Sequence, residues 1–133
     1  MKGLLLGVYE LHRHNIMHRD LKPDNIIFRV KQFEDDYEQI QNKEWSEAAV
    51  IADLGLAEFA DSREYLYARC GTPGYVAPEI IELNESKHIE PKCDMFSAGV
   101  IFHILLTRKA VFEGSKYEEV YKKNKEMNIK LEG

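Results

Sequence analysis

Only two cysteines, Cys70 and Cys93, occur in 133 residues. Such a pair makes neither a disulfide framework nor a zinc site, and a reducing, cytoplasmic compartment is the expectation. No apolar run approaches the roughly 20 residues that cross a bilayer. The opening Leu4-Leu5-Leu6 run is too short for a secretory signal and has no small-residue cleavage site after it. Positive charge is not in excess: 18 Lys and Arg stand against 23 Asp and Glu, for a formal net charge of −5. That balance gives no global pull toward nucleic acid, and no membrane partner is expected. Internal repeats and low-complexity tracts are also missing.

What is present is the balance of a globular protein, 44% hydrophobic and 31% charged, with room for one domain at most. The acidity is local. From Gln32 to Glu47 the acids Glu34, Asp35, Asp36, Glu38, Glu44 and Glu47 face a single lysine, Lys43. The remainder is close to neutral, so this stretch reads as an insert. A solvated loop is the plain interpretation, with Trp45 and Ile40 leaving room for a docking role.

Hydrophobic spacing gives the coarse elements. Leu4, Leu5, Val8 and Leu11 predict a helix over 2–14, with Gly7 as its weak point and His14-Asn15 as its end. His18 to Asn25 contains a proline and no helical period, so it reads as a loop. Ile26-Ile27-Phe28 and Ala48 to Ala52 read as two strands of an antiparallel hairpin, enlarged by the acidic stretch. Closure entropy grows slowly with length, so such a loop is tolerated. Residues 53–79, with Gly55, Gly71, Pro73, Gly74 and Pro78, form a long irregular segment of the kind that carries function. Pro78 suits the first turn of a short helix to about Leu83, and 84–91 is a polar linker. Met95 to Leu106 is apolar almost all round and reads as a buried helix. Lys116 to Met127 reads as an amphipathic helix with Tyr117, Val120 and Tyr121 as its apolar side. His12 and His14 do not share a helical face, so no metal site is expected there. His103 reads as a hydrogen-bonded core histidine.

The densest chemistry is His18-Arg19-Asp20-Leu21-Lys22-Pro23-Asp24-Asn25. Its pattern, H-R-D-L-x-x-x-N, resembles the catalytic loop of eukaryotic-type Ser/Thr protein kinases. That chemistry needs a carboxylate to orient an attacking hydroxyl and take its proton, with a neutral oxygen ligand for Mg²⁺ nearby. The resemblance implies Asp20 as base, Asn25 as a Mg²⁺ ligand, and Lys22 at the γ-phosphate, as in Ser/Thr kinases. Lys22, Asp24, Asn25 and Asp53 become the expected MgATP-binding set, with His18 and Arg19 in support. A polar turn with an incidental match is the competing interpretation.

Further elements follow in the family's order. Asp53-Leu54-Gly55 lies where the family places Asp-Phe-Gly, which implies a Mg²⁺-chelating Asp53 and a turn at Gly55. Leu54 replaces the Phe and is expected to fill apolar space beside His18. The gap from Asn25 to Asp53 exceeds the family's by about the length of the acidic stretch, which supports an insertion at 32–47. Gly71-Thr72-Pro73-Gly74-Tyr75-Val76-Ala77-Pro78-Glu79 resembles the substrate-docking loop and A-P-E element. The resemblance gives Thr72 the role of bridging Asp20 and Lys22, and gives Glu79 a buried ion pair with an arginine. Asp94-Met95-Phe96-Ser97-Ala98-Gly99-Val100 resembles the start of the central helix, with Asp94 as N-cap and as holder of the catalytic-loop backbone. Val100 to Gly114 looks most like the calcium/calmodulin-dependent and calcium-dependent branch. Arg19 is often neutralised in the family by an activation-segment phosphate. Here the usual position falls on Ala68, so Asp61 or Glu64 is expected to serve Arg19.

No G-x-G-x-x-G and no V-A-I-K lysine occur in these residues; Gly3-Leu4-Leu5-Leu6-Gly7 has the wrong spacing. The fold expectation is therefore α+β: a mainly α-helical, kinase-like C-terminal lobe with a small β-hairpin and no N-terminal lobe. Residues 1–133 would be a partial kinase domain, the rest of which is expected on unseen sequence together with the arginine for Glu79. The functional expectation is transfer of the ATP γ-phosphoryl group to Ser/Thr hydroxyls of protein substrates. An inactive remnant or pseudokinase-like scaffold is the alternative.

Overall fold

The computed structural model describes residues 1–28, 49–83 and 88–129. Helix α1, Lys2–Arg13, buries Leu4 and Val8, four residues apart on one face. Gly7 is more than a weak point. A Cβ there would lie 2.9 Å from Ile51 Cδ1, so its bareness lets a strand pack against the helix. Asn15 ends the helix with φ 62, a left-handed conformation that Asn tolerates better than most residues.

Strand β1, Ile16–Met17, pairs antiparallel with β4, Glu58–Phe59, matching Ile16 to Phe59 and Met17 to Glu58. This pair was not legible in the sequence. The expected hairpin forms between β2, Ile26–Phe28, and β3, Ala49–Ile51, with Ile26 opposite Ile51 and Phe28 opposite Ala49. A 3₁₀ turn, Pro23–Asn25, feeds β2. The acidic stretch 32–47, with Ile40 and Trp45, lies outside the described residues.

Helix α2, Pro78–Ile81, has its proline in the first turn, as expected, and ends before Leu83. Helix α3 runs Lys92–Thr107, and left-handed Arg108 at φ 58 closes it. Helix α4 is Tyr117–Lys125. Met17, Ile80, Ile89 and Cys93 centre one apolar cluster, and Leu4, Val8, Leu21, Ala98 and Ile101 form another. Burying Leu21 completely is worth about 1.5–3 kcal/mol and ties the loop that contains it to the helices. Helices with two small antiparallel sheets give the α+β character anticipated.

Four expectations need correction. Asp94 is not an N-cap: α3 starts earlier, with Pro91 in that place, so Asp94 sits in the first turn. Helix α3 is not buried all round, because Met95, Phe102, Leu105 and Leu106 are exposed. His103 is half-buried beside a cavity of about 500 Å³ and is not a core residue. On α4, Tyr117 and Tyr121 stack on each other in solvent, and Asn124 is the buried residue instead.

Candidate active site

The site begins with Asp94, fully buried in α3. Its carboxylate accepts the backbone N–H groups of His18 at 2.8 Å and Arg19 at 2.9 Å. His12 Nε2 donates to the same carboxylate at 2.9 Å. Three donors thus fix the start of the 18–25 loop, where Arg19 holds a left-handed φ of 66. His18 donates from Nε2 to the Ala52 carbonyl at 3.0 Å, and its Nδ1 accepts the Asp20 N–H at 3.3 Å. The loop is therefore tied to the strand that leads into Asp53.

Asp20, Lys22 and Thr72 close a triangle. Thr72 Oγ1 donates to Asp20 Oδ1 at 2.7 Å. Lys22 Nζ donates to Thr72 Oγ1 at 2.9 Å and to Asp20 Oδ2 at 3.0 Å. Asn25 Nδ2 donates to the Asp20 carbonyl at 2.9 Å, which turns its amide oxygen into the open acceptor. The Asn25 carbonyl in turn accepts the Ala52 N–H at 2.8 Å.

Asp53 is exposed, with φ 62, and its Oδ1 accepts the Gly55 N–H at 3.1 Å. A Cβ on Gly55 would approach that oxygen to 3.0 Å, so the bare residue suits this turn. Leu54 does not fill space beside His18: it is 55% exposed, because the turn at Asp53 directs it outward. Asp24 is exposed as well, and its charge adds to burial in pushing the Tyr75 phenol above its ordinary value. The Asn25 amide oxygen and the Asp53 carboxylate are hard oxygen donors of the kind Mg²⁺ takes together with phosphate oxygens. These residues fit the ion. Among the described residues no cluster of three His, Cys, Asp or Glu forms an all-protein cage.

Arg19 is buried, and neither Asp61 nor Glu64 serves it. Its Nε donates to the Leu56 carbonyl at 2.8 Å and its Nη1 to the Tyr67 carbonyl at 2.9 Å. Backbone oxygens already at hand satisfy the guanidinium without desolvating a second charge. Gly71, at φ 102, passes so close that a Cβ would lie 2.8 Å from the Arg19 carbonyl. Glu79 is half-buried in α2 and pairs with no described cation. Burial pushes the Cys93 thiol far above its ordinary range, and the charges of Asp94 and Glu79 add to that.

Sequence reasoning missed Asn124. Its Oδ1 accepts the Gly74 N–H at 2.8 Å, and its Nδ2 donates to the Val76 carbonyl at 3.0 Å. Ser97 donates to the Tyr75 carbonyl between them at 2.8 Å. A polar residue on a lysine-rich helix carries no sign that it faces inward.

Residues 1–132 match the family model described as the protein kinase domain. A DNA damage response protein kinase of Saccharomyces cerevisiae is 41% identical over 110 residues, covering 79% of this chain and 21% of that protein. Calcium-dependent protein kinase 5 of Plasmodium falciparum is 37% identical over 123 residues, 92% of this chain and 19% of that protein. A second protein of that species, named "Probable serine/threonine-protein kinase 2", is 35% identical over 129 residues, 97% of this chain and 22% of its own length. The chain thus spans about a fifth of the length of these relatives.

Proposed function

The chain belongs to the protein kinase family, and from that premise we propose that it is the catalytic-loop part of a MgATP-dependent Ser/Thr kinase. The observation that carries the reading is the closed triangle of Asp20, Lys22 and Thr72. In it the Asp20 carboxylate is held in one orientation by Thr72 and Lys22, with Asn25 Nδ2 as a third, longer donor at 3.4 Å. It orients the hydroxyl of a Ser or Thr side chain and accepts its proton as the oxygen attacks phosphorus. Lys22 carries the positive charge that steadies the γ-phosphate. Thr72, between the two, shapes the acceptor side. Asn25 and Asp53 would hold Mg²⁺, which when bound neutralises charge on the phosphates. Asp24, exposed beside the loop, completes the proposed MgATP-binding set. His18, Arg19 and Asp94 support the loop without touching substrate.

The described elements are those of a C-terminal lobe, with the remaining domain on further sequence; the coverage of about a fifth of each relative supports this. Protein substrates bearing Ser or Thr are the proposed partners. Two free thiols suit a reducing, cytoplasmic setting, and no helix among the described residues is long and apolar enough to cross a membrane.

The test compares the full-length protein with its Asp20→Asn variant in transfer of phosphate from MgATP to Ser/Thr peptides. Loss of about 10²–10⁴-fold in rate is expected when a positioned base is removed. Equal rates in the two proteins would exclude the enzyme reading in favour of a non-catalytic scaffold.

A further inference from the structure

The turn Thr72–Val76 is pinned from outside. Within it, the Thr72 carbonyl accepts both the Tyr75 and the Val76 N–H at 3.0 Å. Three further groups of the turn, the Gly74 N–H and the carbonyls of Tyr75 and Val76, are satisfied by side chains from outside it. Ser97 of α3 takes the Tyr75 carbonyl. Asn124 of α4 takes the other two groups with one side chain and is itself 0% exposed. A primary amide is suited to this, because it offers an acceptor and a donor on one rigid plane. Asp lacks the donor and Leu lacks both. The close approach is built into the backbone as well. Gly74 holds φ 90, and a Cβ there would lie 3.3 Å from Val120 Cγ1 on the turn of α4 before Asn124.

The same turn carries Thr72, whose hydroxyl bridges Asp20 and Lys22. We propose that Asn124 is a positioning residue for phosphotransfer: from α4 it fixes the Gly74–Val76 backbone and thereby sets Thr72 against Asp20 and Lys22. This rests on the kinase reading above and adds to it a residue distant in sequence that touches neither nucleotide nor acceptor.

The experiment is a double-mutant cycle on the full-length protein, with kcat and both KM values measured for Asn124→Ala, Thr72→Ala and the pair. Misplacement by about 1 Å costs on the order of 10²-fold, so Asn124→Ala is expected to lower kcat by about that factor and leave KM for MgATP unchanged. In the Thr72→Ala background it should add almost nothing, since residues acting as one unit are non-additive. Losses that multiply independently, or a wild-type kcat, overturn the proposal. Should Asn124→Ala not fold, Asn124→Asp, which keeps the acceptor for Gly74, takes its place in the cycle. If neither variant folds, Asn124 serves stability alone and the positioning role is overturned. Activity that is absent in the wild type, or unaffected by Asp20→Asn, would instead strike the kinase reading itself.

Discussion

The guanidinium carbon of Arg19 stands 5.5 Å from the centre of the Tyr65 ring. With the Leu56 and Tyr67 carbonyls on its other donors, this face completes the surroundings of a buried cation. Tyr65 is itself held: its hydroxyl donates to His88 Nδ1 at 2.9 Å and accepts the Ile89 N–H at 3.0 Å. Glu58 is nearby, but its carboxyl is held below its ordinary value first by the Ser62 hydroxyl and only last by Arg19.

On the proposed kinase reading, a segment ordered in this way is expected to need no phosphate at Arg19. Phosphatase-treated full-length protein is expected to keep its phosphotransfer rate. Tyr65→Phe, which keeps the ring but strands the Ile89 N–H and His88, should cost about 1 kcal/mol. Tyr65→Ala also forfeits the cation–π contact, worth about 0.5–2 kcal/mol, and should open residues 59–69 to proteolysis. Activity that depends on phosphate at Ser62, Tyr65 or Tyr67 would contradict this account.

Asp94 gathers three donors from two other segments, and each variant removes a defined number of acceptors. Asp94→Asn keeps one oxygen and should cost about 1–3 kcal/mol, the penalty of a stranded buried donor. Asp94→Ala strands all three and should cost about 3 kcal/mol or more. Denaturant midpoints of the full-length protein measure both. A change within experimental error for Asp94→Ala would show that water replaces the carboxylate.

The sequence was most legible where a pattern is written in contiguous residues. The runs 18–25 and 71–79 named their own loops, because each loop is specified by neighbours along the chain. The hairpin of Ile26–Phe28 and Ala49–Ile51 was legible from two short apolar runs. Partners chosen in three dimensions were not. Asp94 before an apolar stretch looks like a cap, yet α3 begins two residues earlier and frees its carboxylate for the loop. Arg19 suggested an acidic partner, but backbone carbonyls serve a buried cation at lower desolvation cost. On α4, tyrosines suggested the inner face, while the unmet backbone groups of Gly74 and Val76 called for an amide.

Both cysteines have thiols raised above their ordinary value, mainly by burial. A raised pKa keeps the thiol protonated, and the thiolate is the nucleophile. Iodoacetamide at neutral pH should therefore label Cys93 only as the protein unfolds, and Cys70 slowly in the native state. The sign for stability follows. Stability from the neutral thiols is intact below the ordinary thiol pKa and lost as pH climbs above it toward the native values. Peptide mass spectrometry against urea concentration reads the labelling; rapid native modification of Cys93 would contradict its burial.

Helix α3 carries Met95, Phe102, Leu105 and Leu106 at 47, 45, 62 and 68% exposure, and α1 adds Leu6 and Tyr9 at 47 and 62%. Scattered apolar residues are normal on a surface, whereas several on one helix invite association. Glu79 adds a half-buried carboxylate that makes no close ion pair among the described residues, although its charge reaches Lys92, and a charge held in this way adds little to the stability of the fold. The purified 133-residue chain is therefore expected to self-associate, bind a hydrophobic dye and melt broadly. Leu105→Lys together with Leu106→Glu should raise the monomer fraction in sedimentation without sharpening the melt, since they remove the adhesive surface and leave Glu79 unpaired. A monomeric wild-type chain with a sharp, reversible melt would show that neither the apolar face nor the carboxylate limits this fold.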